Sequence, residues 1–181
     1  MMKLSDDMEQ LSGFKEIGSN AVWSVSSCKS GFGVEQLRDN SLETYWQSDG
    51  PQPHLINIQF LRRTLVSHVK LYADYKSDES YTPNKIAFRC GTSFHDLREV
   101  GVLELNEPTG WVMMRMEERG KKGQPISTFM IQIAIASNHQ NGRDTHLRQV
   151  KVYSPIEDIP LPVGKMSQFT TTSFSQYSFL R

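Results

Sequence analysis

The strictest constraint this sequence places on its fold is an alternation of apolar and polar residues with a period of two, repeated along most of its length. Ile56, Ile58 and Phe60 alternate with Asn57 and Gln59, and Val69 and Leu71 with His68 and Lys70. Val112, Met114 and Met116 alternate with Trp111, Met113 and Arg115; Val150 and Val152 alternate with Lys151 and Tyr153. Phe129, Ile131, Ile133 and Ile135 form the cleanest run, with Gln132 pointing away, and Val102 to Leu105 the weakest. Successive side chains of a strand point to opposite faces, so each run reads as a strand with one dry face. Helical spacing is confined to Val34–Arg38, about one turn. Breakers separate the runs: Gly50-Pro51, Pro83-Asn84, Pro108-Thr109-Gly110, Gly120 to Gly123 and Asn141-Gly142. Many short strands at fairly regular spacing with almost no helix predict an antiparallel sandwich or barrel.

A length of 181 residues favours one domain with chain left over for tails, and a hydrophobic share of 38% supports one lean core. Residues 1–15 are polar, acidic and unpatterned and read as a flexible lead; the domain is expected over 16–154, followed by a flexible tail over 155–181. Pro155, Pro160 and Pro162 block regular structure there. The stretch 167–178 is mostly Ser, Thr and Gln, with Phe169, Phe174 and Tyr177 set into it, and such a segment buries too little surface to fold alone. The chain stops at Phe179-Leu180-Arg181. Leu180 and Arg181 offer one apolar anchor, one cation and one free carboxylate, which backbone amides and acidic side chains can recognise; a frayed end without a role is the alternative.

Twenty basic residues balance twenty acidic ones, which argues against a general nucleic-acid or anionic-membrane binder. Residues 1–10 have no apolar run of signal length, and no stretch approaches the roughly 20 apolar residues of a membrane span. Cys28 and Cys90 are expected to be reduced core residues of an intracellular protein, located in nucleus and cytoplasm.

No constellation for catalysis emerges, and the chain is expected not to be an enzyme. Gly31-Phe32-Gly33 lacks the third glycine and the following helix of a phosphate cradle. His54, His68, His95, His139 and His146 show no ligand spacing, so no metal and no cofactor is expected. Asp74, Asp78 and Glu79 read as a solvated acidic loop rather than a calcium cage, and Glu117-Glu118-Arg119 with Lys121-Lys122 as a soluble hairpin tip.

Three long polar stretches stand out instead: Asp39–Gly50, Asp74–Pro83 and Asn138–His146. Each mixes amides, hydroxyls and rings, groups that satisfy a peptide's or a sugar's hydrogen bonds while a ring supplies contact area. The first is expected to bond mainly to itself, with Tyr45 and Trp46 as core rings; the second and third are expected to face a partner.

Trp-Ser-Val-Ser-Ser-Cys-Lys-Ser-Gly-Phe-Gly from Trp23, Tyr-Trp-Gln-Ser-Asp-Gly from Tyr45, Ala-Asp-Tyr-Lys-Ser-Asp-Glu-Ser-Tyr-Thr-Pro from Ala73 and Asn-His-Gln-Asn-Gly-Arg-Asp-Thr-His from Asn138 resemble the DOC-domain subunits of the anaphase-promoting complex, or cyclosome. The resemblance covers about Glu16 to Tyr153. It implies an all-β, jelly-roll β-sandwich of the galactose-binding type. It implies a non-catalytic subunit of a ubiquitin ligase acting on mitotic regulators such as cyclins, which shares recognition of the destruction-box degron with a WD-repeat coactivator. The loops implied to face the degron are Ser77 to Tyr81 (Ser77, Asp78, Ser80, Tyr81) and Asn138 to Asn141 (Asn138, His139, Gln140, Asn141), with Ser80 and Asn141 foremost. The family's tail ends in Ile-Arg and docks into a tetratricopeptide-repeat subunit, a role that would fall here to Leu180-Arg181. The rival function is a carbohydrate-binding module, since sugar binders share this type of sandwich.

Overall fold

Alternating β-branched and aromatic residues pair into two antiparallel sheets that close on each other. The computed structural model describes residues 13–156 except Arg119 and Lys122. The five-stranded sheet runs β2 (Ala21–Val25), β4 (His54–Val66), β9 (Ile126–Asn138), β6 (Pro83–Gly91), β7 (Arg98–Glu104). The four-stranded sheet runs β1 (Phe14–Glu16), β11 (Gln149–Pro155), β5 (His68–Asp74), β8 (Thr109–Arg115). A short third pair joins β3 (Trp46–Gln47) to β10 (His146–Leu147). The chain changes sheet at β1–β2, β4–β5, β5–β6, β7–β8 and β8–β9 and returns from β9 to β11 by way of β10, which nests β5/β8 opposite β4/β9 and β6 and gives the jelly-roll sandwich expected.

Register turns the sequence alternation into a core. Ile56 lies opposite Ile133 and Ile58 opposite Ile131, while Phe88 sits on the other side of Ile133. In the facing sheet Val69 lies between Met114 and Val152, and Leu71 between Val112 and Val150. Apart from Val112 and Met114, which are partly buried and pack against it, these side chains belong to one continuous buried cluster. A one-residue slip would send all of them to the solvent face, so the register is strongly specified. A register shift between Gln59 and Thr64 ends the alternation in β4 and turns Leu61, Arg62 and Arg63 outward.

Four details differ from the sequence reading. Phe14 and Lys15, expected in the lead, already pair with Pro155 and Ser154, so the ordered sandwich includes β1 and Pro155. Cys90 is buried, whereas Cys28 is exposed: it follows the end of β2, where no sheet covers it. Trp46 is fully buried and donates from Nε1 to the Ser27 carbonyl at 2.9 Å, but Tyr45 is only half-buried. Asp78 is buried rather than solvated. The helical turn falls at Val34–Leu37, as the spacing predicts. Leu180 and Arg181 lie outside the described residues.

Candidate functional site

The β5–β6 and β9–β10 connections emerge at the same end of the sandwich because β5 runs toward Asp74 and β9 toward Asn138. Asp74 starts the first connection by capping a single helical turn, Tyr75–Asp78: its carboxylate accepts from the Lys76 amide at 3.2 Å and from the Ser77 hydroxyl at 2.7 Å. A second turn, Glu79–Tyr81, follows, entered through Glu79 at φ 44°. The other connection is the turn His139–Asn141, in which Gln140 and Asn141 both adopt the left-handed conformation at φ 51° and 57°. Such residues cost on the order of 1 kcal/mol each and persist only where the surroundings hold them.

Those surroundings are the two turns themselves. The His139 amide donates to the Thr82 carbonyl at 2.9 Å, and its ring Nδ1 lies 3.0 Å from the same oxygen. Its Nε2 accepts from the Glu107 amide at 3.1 Å, which assigns the Nδ1-protonated tautomer. Thr145 Oγ1 donates to the Tyr81 carbonyl at 3.2 Å, and Gln140 Nε2 donates to the Tyr75 hydroxyl at 2.9 Å. Gly142 sits so close to the other turn that a Cβ built on it would fall 1.8 Å from the Ser80 carbonyl oxygen. Asn138 folds inward, donating to the Gly142 and Asp144 carbonyls at 3.2 and 2.8 Å.

Beneath the turns lies a buried ion pair. Arg148 grips Asp78 with two bonds, Nε to Oδ2 at 3.0 Å and a terminal nitrogen to Oδ1 at 2.9 Å. It donates a third to the Leu42 carbonyl at 2.7 Å, tying in the Asp39–Gly50 loop. His146 Nδ1 lies 3.2 Å from Asp78 Oδ1. Burial alone would raise the Asp78 carboxyl, but hydrogen bonds from His146 and Arg148, and their charges, hold it below its ordinary value. The His146 ring is stacked between Tyr45 and Tyr81, 4.2 Å from each, and Phe32 stacks on Tyr45 at 5.0 Å. One column of four rings therefore passes through all three polar loops.

The eight candidate residues divide accordingly. Asp78, Asn138 and His139 are buried and act as internal braces, with Asp78 set apart from any ligand by its partners. Ser77, Tyr81, Gln140 and Asn141 are exposed and Ser80 is half-buried. Ser77 and Gln140 already bond within the rim, whereas the Ser80 hydroxyl and the Asn141 amide have no side-chain partner among the described residues. The Asp39–Gly50 loop bonds to itself only in part: Asp39 accepts from Ser41 and Thr44 within the loop, but also from Gln149, and Leu42 and Ser48 are tied to Arg148 and Thr145 outside it. The organising residues that sequence reasoning missed are Arg148 and Gly142. The signal for Arg148 was a charge between Leu147 and the apolar alternation that starts at Val150; Gly142 reads only as half of a turn dipeptide.

The arrangement is a rim of hydrogen-bonding groups. A hollow of about 300 Å³ and a wider groove of about 830 Å³ lie around the 117–127 hairpin at the opposite end, and none of the eight residues lines them. Among the described residues no group of three or more His, Cys, Asp or Glu side chains is arranged to hold a metal. A rim of this kind can hold an extended ligand through several individually weak bonds.

Comparison with known proteins is consistent with this architecture. Among solved structures, the family 32 carbohydrate-binding module of Clostridium perfringens NanJ in complex with galactose superposes with a TM-score of 0.64, covering 78% of this chain and 99% of that one at 13% identity. The module of C. perfringens CpGH89 in complex with GalNAc-β-1,3-galactose gives a TM-score of 0.62 at 7% identity, over 76% and 99% of the two chains. Identity this low establishes the fold alone. Sequence comparison is more specific. The human protein named anaphase-promoting complex subunit 10 is 58% identical over 96% of this chain and 92% of its own length; the mouse protein of that name matches equally well. The fission yeast protein is 40% identical over 98% of this chain and 93% of its own. The family described as "Anaphase-promoting complex, subunit 10 (APC10)" matches residues 3–179, and this chain belongs to it.

Proposed function

We propose that this chain is a non-catalytic substrate-recognition and processivity subunit of the anaphase-promoting complex, in which the Ser80/Asn141 rim contacts the destruction box beside a WD-repeat coactivator. The observation that carries the reading is the locked pair of turns: left-handed backbone at Gln140 and Asn141, and a Gly142 packed on the Ser80 carbonyl with no room for a Cβ, present at one end of the sandwich a Ser80 hydroxyl and an Asn141 amide that have no side-chain partner among the described residues. Each hydrogen bond such a rim donates is worth only about 1 kcal/mol net, so the isolated chain binds a degron peptide weakly. Two weak receptors on one scaffold make the second contact intramolecular, which raises apparent affinity by roughly a hundredfold or more. Longer residence then allows more ubiquitin transfers per encounter without this chain touching a chemical bond. Leu180-Arg181 would supply the docking end for a tetratricopeptide-repeat subunit, and the protein would work in nucleus and cytoplasm.

The test is Ser80→Ala with Asn141→Ala in the assembled ligase. The fold and assembly should be retained while ubiquitin-chain length per binding event falls; unchanged chain length in a fully assembled double variant refutes the site. Deleting Leu180-Arg181 should lower occupancy in the complex at low concentration. The carbohydrate-binding alternative rests on fold likeness alone, and an empty glycan array with the purified chain would dispose of it.

A further inference from the structure

Alternation along β9 points Met130, Gln132 and Ala134 away from the core that takes Ile131, Ile133 and Ile135. Met130, Ala134 and, on β6, Ala87 are buried apolar side chains that stand outside the core cluster. Pairing extends them into rows across the outer face of the five-stranded sheet. Val102, Ala87, Ala134 and Leu55 form one apolar row, and Gly91, Met130, Gln59 and Val22 another. Between them run Glu99, Arg89, Gln132, Asn57 and Ser24.

The middle row is bonded to itself. Arg89 Nη1 donates to Gln132 Oε1 at 3.0 Å, Gln132 Nε2 to Asn57 Oδ1 at 2.9 Å, and Asn57 Nδ2 to Ser24 Oγ at 3.4 Å. Polar groups already matched in this way can be covered at little cost. Around them Val22, Ser24, Gln59 and Val102 are exposed, as is Leu61, the next outward residue of β4, at 89%.

What the face lacks is charge. None of the eight row positions on β2, β4 and β9 holds Asp, Glu, Lys or Arg. Ordinary surface composition would put about two charges there. The charged residues stand at the β6–β7 margin, where Glu99 is opposite Arg89 and Lys85 pairs with Glu104 at 3.5 Å. A solvated sheet face is normally polar, and depletion of charge among aliphatic residues marks the centre of a protein interface.

We infer that this face docks on an uncharged, aliphatic-ridged surface of another subunit of the anaphase-promoting complex. Size selects the occupant. Five strands about 4.8 Å apart span about 19 Å, and rows four residues apart along a strand are separated by about 14 Å. A face on the order of 300 Å² falls well short of the roughly 800 Å² per partner of a stable free-standing pair. A second copy of this chain would not hold there unaided, whereas a neighbour that also grips the chain elsewhere gains from effective concentration. The partner supplies one aliphatic ridge over Leu55 and Val102 and another over Val22 and Leu61. It brings no charge to the middle row, where a covered charge would find no partner. The inference rests on membership of the complex and not on the degron reading of the rim.

The experiment lets parent and variant full chains, differently tagged, compete for a limiting amount of ligase depleted of this subunit. Gln59→Glu with Ser24→Asp, two changes at exposed positions, should lose to the parent by about tenfold or more, while the uncharged Gln59→Met should compete as the parent does. Unchanged melting temperatures establish that the variants fold. A second measurement needs no variant: hydroxyl-radical labelling of Val22, Leu55 and Leu61 in the parent should fall severalfold on incorporation, and the free chain should sediment as a monomer. Unaltered labelling, or a Gln59→Met that loses as heavily as the charged variant, would overturn the proposal. So would a free chain that pairs through this face until Gln59→Glu splits it. A charged variant that competes equally yet shortens the ubiquitin chains would assign the face to substrate contact instead, and would equally overturn docking.

Discussion

Replacing Gly142 by Ala adds one methyl group, and the structure makes its consequence unusually specific. Gly142 has φ −57° and ψ 138°, backbone that alanine adopts freely, so the substitution introduces no conformational strain of its own. The added carbon would stand 1.8 Å from the Ser80 oxygen, 2.8 Å from its carbonyl carbon and 3.3 Å from the His139 oxygen. Since a non-bonded carbon–oxygen contact needs roughly 3.3 Å, the two turns must separate by about 1.5 Å. That motion stretches the bonds between them: His139 amide and ring to the Thr82 oxygen at 2.9 and 3.0 Å, and Thr145 to the Tyr81 oxygen at 3.2 Å. Losing two or three at about 1 kcal/mol each costs about 2–3 kcal/mol, which lowers Tm by roughly 5–10 °C in a domain of this size. Melting followed by circular dichroism gives the first number; amide shifts of residues 75–82 and 138–146 show whether the change is confined to the rim. Ser80→Ala is the control, because it removes the hydroxyl and leaves the obstructing carbonyl, and it should melt like the parent. A Gly142→Ala variant that melts within about 1 °C of the parent, with the Ser80 and Asn141 amides unmoved, would refute the claim that this approach locks the rim.

Asp78→Ala strands the Arg148 guanidinium in a buried site and should cost on the order of 3 kcal/mol in urea unfolding. Because the Asp78 pKa is held below 3.8 in the fold, the pair's contribution is complete above about pH 4 and is lost as pH falls through the folded value. The stability difference between parent and variant should therefore shrink in acid, and a difference constant down to pH 2 would contradict the ion pair. With a thiol reagent at neutral pH, exposed Cys28 should react promptly, while Cys90, its thiol pushed by burial up to about 12, should react only on unfolding. Two equally fast thiols in the folded protein would contradict that burial pattern.

The sandwich was legible because most long strands carry a period-two record: Ile56, Ile58 and Phe60 can reach a core only as alternate residues of a strand, whereas β6 was not picked out, its consecutive Ile86, Ala87 and Phe88 all being buried. The short strands β1, β3 and β10 were not, since two or three residues hold too little pattern and owe their conformation to a partner strand. The candidate rim was legible as composition, two strings of amides, hydroxyls and rings, but its internal division was not. Asp78 and Ser77 are adjacent and equally polar, yet one is buried and the other exposed, and what separates them is Arg148, seventy positions along the chain. Cys28 was misplaced for a similar reason: its neighbours look strand-like, but the ladder ends at Val25.

Strand β11 begins beside Arg148, which grips the rim, and ends at Pro155, after which Ile156 still bonds to Gly13. Its flanks are β1 and β5, both antiparallel to it. A ligand tugging on the rim and an anchor holding the chain beyond Ile156 would pull along this strand's axis. Tension in that direction loads its lateral hydrogen bonds together, in shear, instead of peeling them one at a time. A pull applied between Arg148 and Ile156 would therefore be resisted by both flanking ladders at once.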